Sequence, residues 1–367
     1  MKALRIYAGP KARRHIELNG LLPQDVSVVP GAAGGPKGLI LGPLDRFVFG
    51  QWLAHGAHEV HLVGASIGAW RMATACLNDP VPAFQRLEDD YIGQDYELAP
   101  GQKRPTAAHV SERFGLSLEN FYGGRVGEVL SHPRYRLHIV TSRGRHLLGR
   151  EHRLRTPLGY LGAFITNTVH RKAMGAWLER VVFSSQEARL PFDSRDYRTR
   201  QVALSEANFR PALQASCSIP FVLKPVHDIP GAPPGAYWDG GITDYHLHLN
   251  YNAVAPVPHA PGAGLVLYPH FQKAVVPGWL DKSLKWRHGA THFLDNMVVL
   301  APDPAWVKSL PNGKLPDRTD FTRYGTHLQA RVKAWGAAVA QASQLADEFQ
   351  EWLEAGGRGV APTEPLT

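Results

Sequence analysis

The chain has 367 residues, of which 44% are apolar and 20% are charged, a composition that is ordinary for a soluble globular enzyme. This length suits one large α/β domain or two smaller ones. The two cysteines, Cys76 and Cys217, are too few for a disulfide scaffold and favour a reducing compartment. We find no signal peptide and no apolar run long enough to span a membrane, so we expect a cytoplasmic protein.

The formal net charge of +8 is the second global property of the chain. Such a surface could attract anionic lipid headgroups, nucleic acid or acidic proteins, and total charge does not choose among them. The basic clusters at residues 11–14 and 143–155 contain few aromatic residues and match no nucleic-acid motif. We therefore expect these clusters to be solvated surface and expect no nucleic-acid partner.

The first third of the chain alternates between strand-like and helix-like segments. The predicted order is a strand at 26–29, a glycine-rich turn to 38, a helix at 39–55, a strand at 59–63 and a helix at 67–77. This alternation predicts a parallel sheet with helices packed on it.

The remaining segments are predicted from apolar runs, Pro and Gly clusters, and helical spacing. They are strands at 134–141, 180–183 and 265–268, a short helix at 211–217, and loops at 225–241 and 256–264. Apolar residues recur at spacings of three and four from residue 328 to 353, which predicts one long amphipathic helix covering the sheet. We expect one domain over 1–355, with a helical C-terminal part from about 280 and a loose tail at 356–367.

A serine between two glycines follows the predicted strand at 59–63. In Gly64-Ala65-Ser66-Ile67-Gly68, the glycines permit a sharp strand-to-helix turn that exposes the hydroxyl beside a helix N-terminus. The arrangement makes Ser66 a candidate nucleophile. An idle serine in a structural turn would have the same pattern.

A second glycine-rich turn, Gly34-Gly35-Pro36-Lys37-Gly38, lies between a predicted strand and a predicted helix. Backbone N–H groups at such a helix start can hold a phosphate or the oxyanion of an acyl-transfer intermediate. The spacing does not match a nucleotide-binding loop, and the nearby serine favours the oxyanion interpretation. A plain tight turn remains an alternative.

An aspartate precedes two glycines in Trp238-Asp239-Gly240-Gly241. A carboxylate on such a loop can reach the carboxyl edge of a sheet and accept the proton of a serine. Asp239 is therefore a candidate general base, although Asp-Gly turns are also common without any chemical role.

In their order and spacing, these three motifs resemble those of the patatin-like phospholipase family. A fourth stretch, Ala215-Ser216-Cys217-Ser218-Ile219-Pro220, is also similar to that family, and the resemblance covers about residues 26–268. The sequence departs from the family pattern at Ala33, where a third glycine is frequent, and at Lys37, where arginine is frequent. Pro36 has no N–H, so any oxyanion donors must be its neighbours.

The resemblance implies a three-layer α/β/α sandwich with a mostly parallel central sheet. It implies a catalytic dyad of Ser66 and Asp239, an oxyanion hole at Gly34, Gly35, Lys37 and Gly38, and no metal or organic cofactor. The implied substrates are acyl esters, commonly phospholipids or neutral lipids. For a basic protein with such substrates, we expect transient association with an anionic membrane surface.

Three other interpretations stay open from the sequence alone. One is an esterase with a Ser-Asp-His triad, because several histidines follow Asp239, among them His246, His248, His270, His288 and His292. The second is a lipid- or partner-binding protein with an inactive site, and the third is a nucleotide-binding protein. His246 and His248 could also bind a metal, but two polar positions on an exposed strand are the simpler interpretation.

Overall fold

A computed structural model describes residues 1–97, 102, 104–253, 263–358 and 364–366. Within these residues, strands drawn from the whole length of the chain form one sheet. The strands are β1 Leu4–Ala8, β2 Val26–Gly31, β3 Val60–Ala65, β4 Tyr135–Gly144, β5 Leu178–Ser184, β6 Thr199–Ala203, β7 Val226–His227, β8 Ala236–Asp239, β9 Leu265–Pro269, β10 Met297–Pro302 and β11 Glu364–Pro365.

The sheet has the strand order β11-β1-β10-β9-β2-β3-β4-β5-β6, with β8 on β4 and β7 on β8. Its centre, from β10 to β4, is parallel throughout, whereas β1 is antiparallel to β10, and β5 and β8 are antiparallel to β4. The central strands are almost wholly buried, as expected where helices flank a parallel sheet. The predicted fold class, an α/β sandwich with a mostly parallel central sheet, is confirmed.

The helices that flank this sheet carry most of the remaining core. They are α1 Pro10–Asn19, α2 Gly42–Phe47, α3 Ile67–Ala75, α4 Pro80–Ile92, α5 Ala107–Tyr122, α6 Val126–Leu130, α7 Arg155–Val169, α8 Glu206–Ser216, α9 Pro304–Ser309, α10 Thr319–Tyr324, α11 Leu328–Gln341 and α12 Ser343–Glu354. Among the described residues, no helix is both long and apolar enough to cross a membrane.

The helix expected at 39–55 is present as an uninterrupted helical run of changing type. It consists of a 3₁₀ segment at Gly35–Leu41, then α2, a π-helical turn at Val48–Trp52 and a 3₁₀ turn at Leu53–His55. The helix prediction at 328–353 was wrong in its continuity. The single helix expected from 328 to 353 is divided at Ala342 into α11 and α12. The two halves pack in different places: Trp335 of α11 contacts Tyr91 of α4, whereas Phe349 of α12 contacts Phe47 of α2. The spacing of apolar residues continues across the division and therefore does not reveal it.

The strands that sequence reasoning missed are mostly short or near the sheet edges, but β10 has six residues and lies inside the sheet between β1 and β9. They are β1, β6, β7, β8 and β10, with β7 and β8 inside the predicted loop at 225–241. Most of the loop predicted at 256–264 lies outside the described residues. In the predicted loose tail, Glu364 and Pro365 instead pair with Tyr7 and Ala8 of β1.

A buried ion pair joins the two helices that begin next to the candidate site. The Arg71 guanidinium on α3 donates to both carboxylate oxygens of Asp45 on α2, at 2.6 and 2.7 Å, and both side chains are buried. Because a buried charge without its partner is costly, this pair fixes α2 relative to α3. The loops that precede these two helices, with the glycine-rich turn and the serine turn, are held in one arrangement as a result.

Candidate active site

The site forms where β3 and β8 meet along the same edge of β4. Ala65 of β3 lies opposite Val140, and Asp239 of β8 lies opposite the next residue, Thr141. The other edge of β4 is taken by β5. Since β3 is parallel and β8 antiparallel to β4, their carboxyl ends face each other. Residues far apart in the sequence are therefore neighbours at this point of the sheet.

Ser66 occupies the turn between β3 and α3 with φ of 57° and ψ of −130°. An L-residue other than glycine rarely has this positive φ, and a turn of this kind presents a serine hydroxyl above a sheet. The flanking glycines are required by space. A side chain at Gly68 would overlap the carbonyl of Gly31, and one at Gly64 would overlap Ala69. The predicted serine turn is thus present, and its glycines permit close approach of β2, β3 and α3.

The hydroxyl of Ser66 donates to Oδ2 of Asp239 at 2.7 Å, and both residues are buried. The other carboxylate oxygen, Oδ1, accepts from the backbone N–H of Gly241 at 2.7 Å. Burial raises the pKa of the Asp239 carboxyl, and this is partly offset by the hydrogen bond from Ser66 and by the charge of Arg318. The arrangement is a hydroxyl donating directly to a carboxylate whose basicity is increased by its surroundings.

Ser216 and Ser218 position this pair from the small-residue stretch at the end of α8. The N–H of Ser66 donates to Oγ of Ser216 at 2.9 Å, and that hydroxyl donates to the carbonyl of Val140 at 2.7 Å. The carbonyl of Ser218 accepts from the N–H of Asp239 at 2.9 Å. The stretch Ala215–Pro220, which resembles the family, is therefore hydrogen bonded to both Ser66 and Asp239 and holds them next to each other.

The glycine-rich turn borders the same space. Gly34 and Lys37 line a cavity together with Ser66 and Asp239, while Gly35, with φ of 57°, lines a second cavity that also reaches Ser66. Gly38 is placed differently, because a side chain there would meet Ile67 and Arg71 of α3. Gly34, Gly35 and Lys37 are thus brought to the serine, whereas Gly38 serves the packing of the turn on α3.

The two cavities beside Ser66 differ in chemistry. The smaller, of about 70 Å³, is walled mainly by the aromatic and aliphatic residues Trp70, Tyr91, Tyr96, Val110, Phe114 and Leu223. The larger, of about 190 Å³, is polar on one side, where Lys37, Lys282 and Arg318 lie. Ile219 and Arg318 line both cavities and so stand between them.

The three cations at the larger cavity have no ion pair in the described part of the chain. Lys282 places its ammonium 4.0 Å from the centre of the Tyr245 ring, and Lys37 lies 5.4 Å from that of Phe271. Desolvation, together with the neighbouring charges of Lys37 and Arg318, lowers the pKa of Lys282 to about 8. Asp317 also lines this cavity, but its carboxylate is paired with Lys314 at 2.7 Å. The three unpaired cations therefore leave this side of the cavity suited to an anion.

The histidines after Asp239 are engaged elsewhere. His246 and His248 are buried off the sheet and bind the carbonyls of Ala274 and Val275, so their placement on an exposed strand was wrong. His270 binds the carbonyl of Gln272, and His288 that of Asp281. In the portion of the chain that is described, no histidine ring nitrogen is hydrogen bonded to Ser66 or Asp239, and no group of side chains suited to a metal ion is found.

The two cysteines are packing residues. Cys76 is fully buried after α3, and Cys217 lines the smaller cavity beside Ser66. Burial raises the pKa of both thiols, so the thiolate that a nucleophile requires is not favoured.

Sequence reasoning missed the groups of the larger cavity. Trp279, Lys282 and Arg318 lie beyond the stretch that resembles a known family, on 3₁₀ and irregular segments without a motif. Tyr245 follows the Asp-Gly-Gly motif and could have been sought from that position. No sequence signal pointed to the other three.

The fold and the site together define an α/β protein with a buried serine–aspartate pair at the carboxyl end of its sheet. The sequence model of the patatin-like phospholipase family matches residues 33–247, more than half of the chain, and the chain belongs to this family. Membership implies a lipid acyl hydrolase.

Other comparisons add little detail. No curated protein matches the chain. The crystal structure of VipD from Legionella pneumophila is similar at 13% sequence identity and a TM-score of 0.37, over 95% of this chain and 70% of that one. A likeness at this level supports no conclusion about chemistry.

Proposed function

We propose that the protein hydrolyses carboxylic esters of acyl lipids through a dyad of Ser66 and Asp239. The observation that carries this proposal is the 2.7 Å hydrogen bond between the two side chains at a strained strand-to-helix turn. Family membership supports a lipid ester as substrate. The proposal uses no metal and no organic cofactor.

In the first half of the reaction, Oγ of Ser66 attacks the ester carbonyl while Oδ2 of Asp239 takes its proton. The tetrahedral intermediate collapses, the C–O bond to the alcohol breaks, and Asp239 returns the proton to the leaving oxygen. In the second half, Asp239 takes a proton from water as the water attacks the acyl-serine. The acid leaves, and the proton passes back to Ser66.

The negative charge of the intermediate requires hydrogen-bond donors. We assign this role to the backbone N–H groups of the glycine-rich turn at Gly34, Gly35 and Lys37, which border the cavities on Ser66. Gly38, expected in the same group, lies farther along the turn against α3. The lack of an N–H at Pro36 leaves its neighbours as the donors.

The cavities suggest how an ester is oriented. The aromatic cavity suits the first carbons of the acyl chain. The cavity with Lys37, Lys282 and Arg318 suits a leaving alcohol that carries an anionic group, such as a phosphate or a carboxylate. Esters that combine an acyl chain with an anionic leaving group are therefore the preferred substrates under this proposal.

Labelling with a fluorophosphonate tests whether the serine is activated. We expect one labelled residue in the purified protein, identified by peptide mass spectrometry as Ser66, since only a serine with a base beside it reacts at a useful rate. A Ser131→Ala variant, with an exposed serine removed from the end of α6, is the matched control and should label fully. Wild-type protein that is folded and remains unlabelled would favour a binding protein with an inactive site.

The pH dependence of substrate preference tests the cationic cavity. With a pKa of about 8, Lys282 is mostly charged at pH 7 and mostly neutral at pH 9. We expect kcat/KM for an anionic ester, divided by that for a neutral ester of the same acyl chain, to fall roughly threefold to tenfold over this range. Lys282→Met should lower the ratio at pH 7 and weaken its pH dependence; burial also lowers the pKa of Lys37 in the same cavity, which therefore contributes any dependence that is left.

Two variants serve as controls for this measurement. Lys282→Arg keeps a charge up to pH 9 and should keep the preference over the whole range. Lys308→Met removes an exposed lysine from α9 and should leave the ratio unchanged. A ratio that is independent of pH in the wild type would show that Lys282 does not contact the leaving group.

A further inference from the structure

Helix α7 exposes a continuous apolar stripe to solvent. Five residues at spacings of four and three are each 54–80% exposed, namely Leu154, Leu158, Leu161, Ile165 and Val169. At 3.6 residues per turn, these positions fall on one side of the helix, and 15 residues extend over about 22 Å. Other exposed large apolar residues, such as Leu18, Val81 and Leu116, lie elsewhere on the chain, and a continuous stripe of this size indicates a contact surface.

The opposite side of α7 is firmly anchored, so the stripe is not an accident of a loose helix. Tyr160 and Ala163 are buried in a cluster with Leu148, Met174 and Trp238. Asn167 donates to the buried carboxylate of Asp281 at 2.8 Å. The helix therefore presents the stripe outward in a fixed orientation.

The stripe is connected to the candidate active site through Phe221. This residue has φ of 67° and is 64% exposed, and its ring contacts that of Tyr160 on α7 at 6.0 Å between centroids. It directly follows Ile219 and Pro220, which line the cavity with Ser66 and Asp239. Val222, beside it, is also exposed. The apolar surface thus runs from α7 to the wall of the cavity.

Within the segment that carries the stripe, the charges are of one sign. Residues 152–173, which include the whole of α7, contain no Asp or Glu. Arg153 and Arg155 are exposed at the N-terminal end, and Lys172 is exposed beyond the C-terminal end. Trp286, 72% exposed, lies next to Arg287, whose guanidinium binds the carbonyl of Thr168 at that same end.

We propose that the α7 stripe, with Phe221 and Val222, docks the protein on a lipid surface that contains anionic phospholipids. An amphipathic helix with apolar residues on one side and flanking basic residues binds in the plane of such an interface. The exposed indole of Trp286 suits the headgroup layer. This inference rests on the proposed acyl-lipid substrate, because it places the mouth of the cavity at the surface where that substrate resides.

The basic rim decides between a lipid surface and a second copy of the chain. If two copies packed stripe against stripe, the basic residues of one copy would lie close to those of the other, and the like charges would repel. These residues are Arg153, Arg155 and Lys172. An anionic lipid surface neutralises them, and each is worth about 1 kcal/mol near such a surface, or roughly fivefold in binding.

Vesicle sedimentation tests the docking surface without any turnover. In a Ser66→Ala background, the protein is mixed with vesicles of phosphatidylcholine alone or of equal parts phosphatidylcholine and phosphatidylglycerol. We expect tighter binding to the anionic vesicles, a weaker preference at high salt, and a loss of at least roughly tenfold in Leu161→Gln/Ile165→Gln. Arg153→Gln/Arg155→Gln should lower binding to the anionic vesicles only.

The matched control is Leu18→Gln/Leu22→Gln, which removes two exposed leucines at and beyond α1, near the opposite edge of the sheet. This variant should bind vesicles as the Ser66→Ala protein does. Equal vesicle binding by the α7 variant and this control would overturn the proposal. It would also be overturned if the protein did not bind vesicles and instead formed a dimer that the α7 substitutions dissociate.

Hydrolysis of a short soluble ester by the same variants with Ser66 restored separates this inference from the proposed function. We expect that activity to be unchanged by the α7 substitutions, since they lie on the solvent side of the helix. A protein that hydrolyses no ester but binds vesicles through α7 would refute the dyad and keep the docking surface. A protein that hydrolyses the soluble ester but binds vesicles equally well with and without the α7 substitutions would refute the docking surface alone.

Discussion

Ser66→Ala is expected to lower ester hydrolysis by roughly 10⁴-fold to 10⁶-fold while the protein remains folded. The substitution removes one oxygen, which is the atom that forms the acyl intermediate under the proposed mechanism. The turn retains its backbone, because alanine is no more strained than serine at a φ of 57°. We expect the free energy of unfolding to change by no more than about 1 kcal/mol, measured by urea denaturation.

The measurement compares kcat/KM for a short soluble acyl ester in wild type, Ser66→Ala and Ser131→Ala. The Ser131 variant should be indistinguishable from wild type, because its hydroxyl only donates to the carbonyl of Gly127 on an exposed turn. A folded Ser66→Ala protein that hydrolyses the ester at close to the wild-type rate would sink the assignment of the nucleophile.

Asp239→Asn is expected to be nearly as damaging, with a loss of roughly 10⁴-fold, because an amide cannot take the proton of Ser66 at neutral pH. The wild-type enzyme should lose activity as the pH falls and the carboxyl becomes protonated. Since burial raises the pKa of Asp239, this loss begins at a higher pH than an exposed aspartate would give. The acidic limb should be absent from whatever activity the Asn variant retains.

The histidines provide the contrast that distinguishes a dyad from a triad. His248→Gln, His288→Ala and His292→Ala should each retain activity within about tenfold of wild type, because none of these side chains contacts Ser66 or Asp239. His246 and His270 are fully buried, so glutamine variants are preferable there and must first be shown to fold. One folded histidine variant as inactive as Ser66→Ala would establish a triad instead.

The parts of the site that could be predicted from sequence are those in which a local conformation restricts the residue type. A positive φ at Ser66 and the contact between Gly31 and Gly68 demand small residues at fixed spacing, and this leaves a readable pattern. The same holds for Gly241, whose N–H binds Asp239. The alternation of strands and helices around β2 and β3 was predictable for the same local reason.

What could not be predicted depends on long-range pairing. Strand β8 has only four residues, Ala-Tyr-Trp-Asp, and is held by its register on β4. It is too short to stand out from the flanking residues, which are rich in Pro and Gly. Lys282 and Arg318 reach the cavity from segments whose position is set by the packing of the whole chain. A single lysine or arginine has no spacing to recognise, and the cationic side of the cavity is therefore invisible in the sequence.

The exposed stripe on α7 was also missed. The sequence 143–155 was interpreted only as a solvated basic cluster, and the apolar residues that follow it are spaced like those of any helix packed on a core. Which side of the helix faces the core is decided by Gly159, since a side chain there would overlap Leu148. Helical periodicity shows which apolar residues share one side of the helix, but it does not show whether that side packs on the core or faces solvent.

Under the proposed dyad, the meeting of β3 and β8 on β4 makes catalytic competence depend on strand register. A slip of one residue between β8 and β4 would move Asp239 by about 3.3 Å and turn its side chain to the other face of the sheet. Gly240 opposes such a slip, because its Cα lies too close to the carbonyl of Val140 for any larger residue to take its place. Active-site titration of a preparation would then count only the chains in which Asp239 is in register with Ser66.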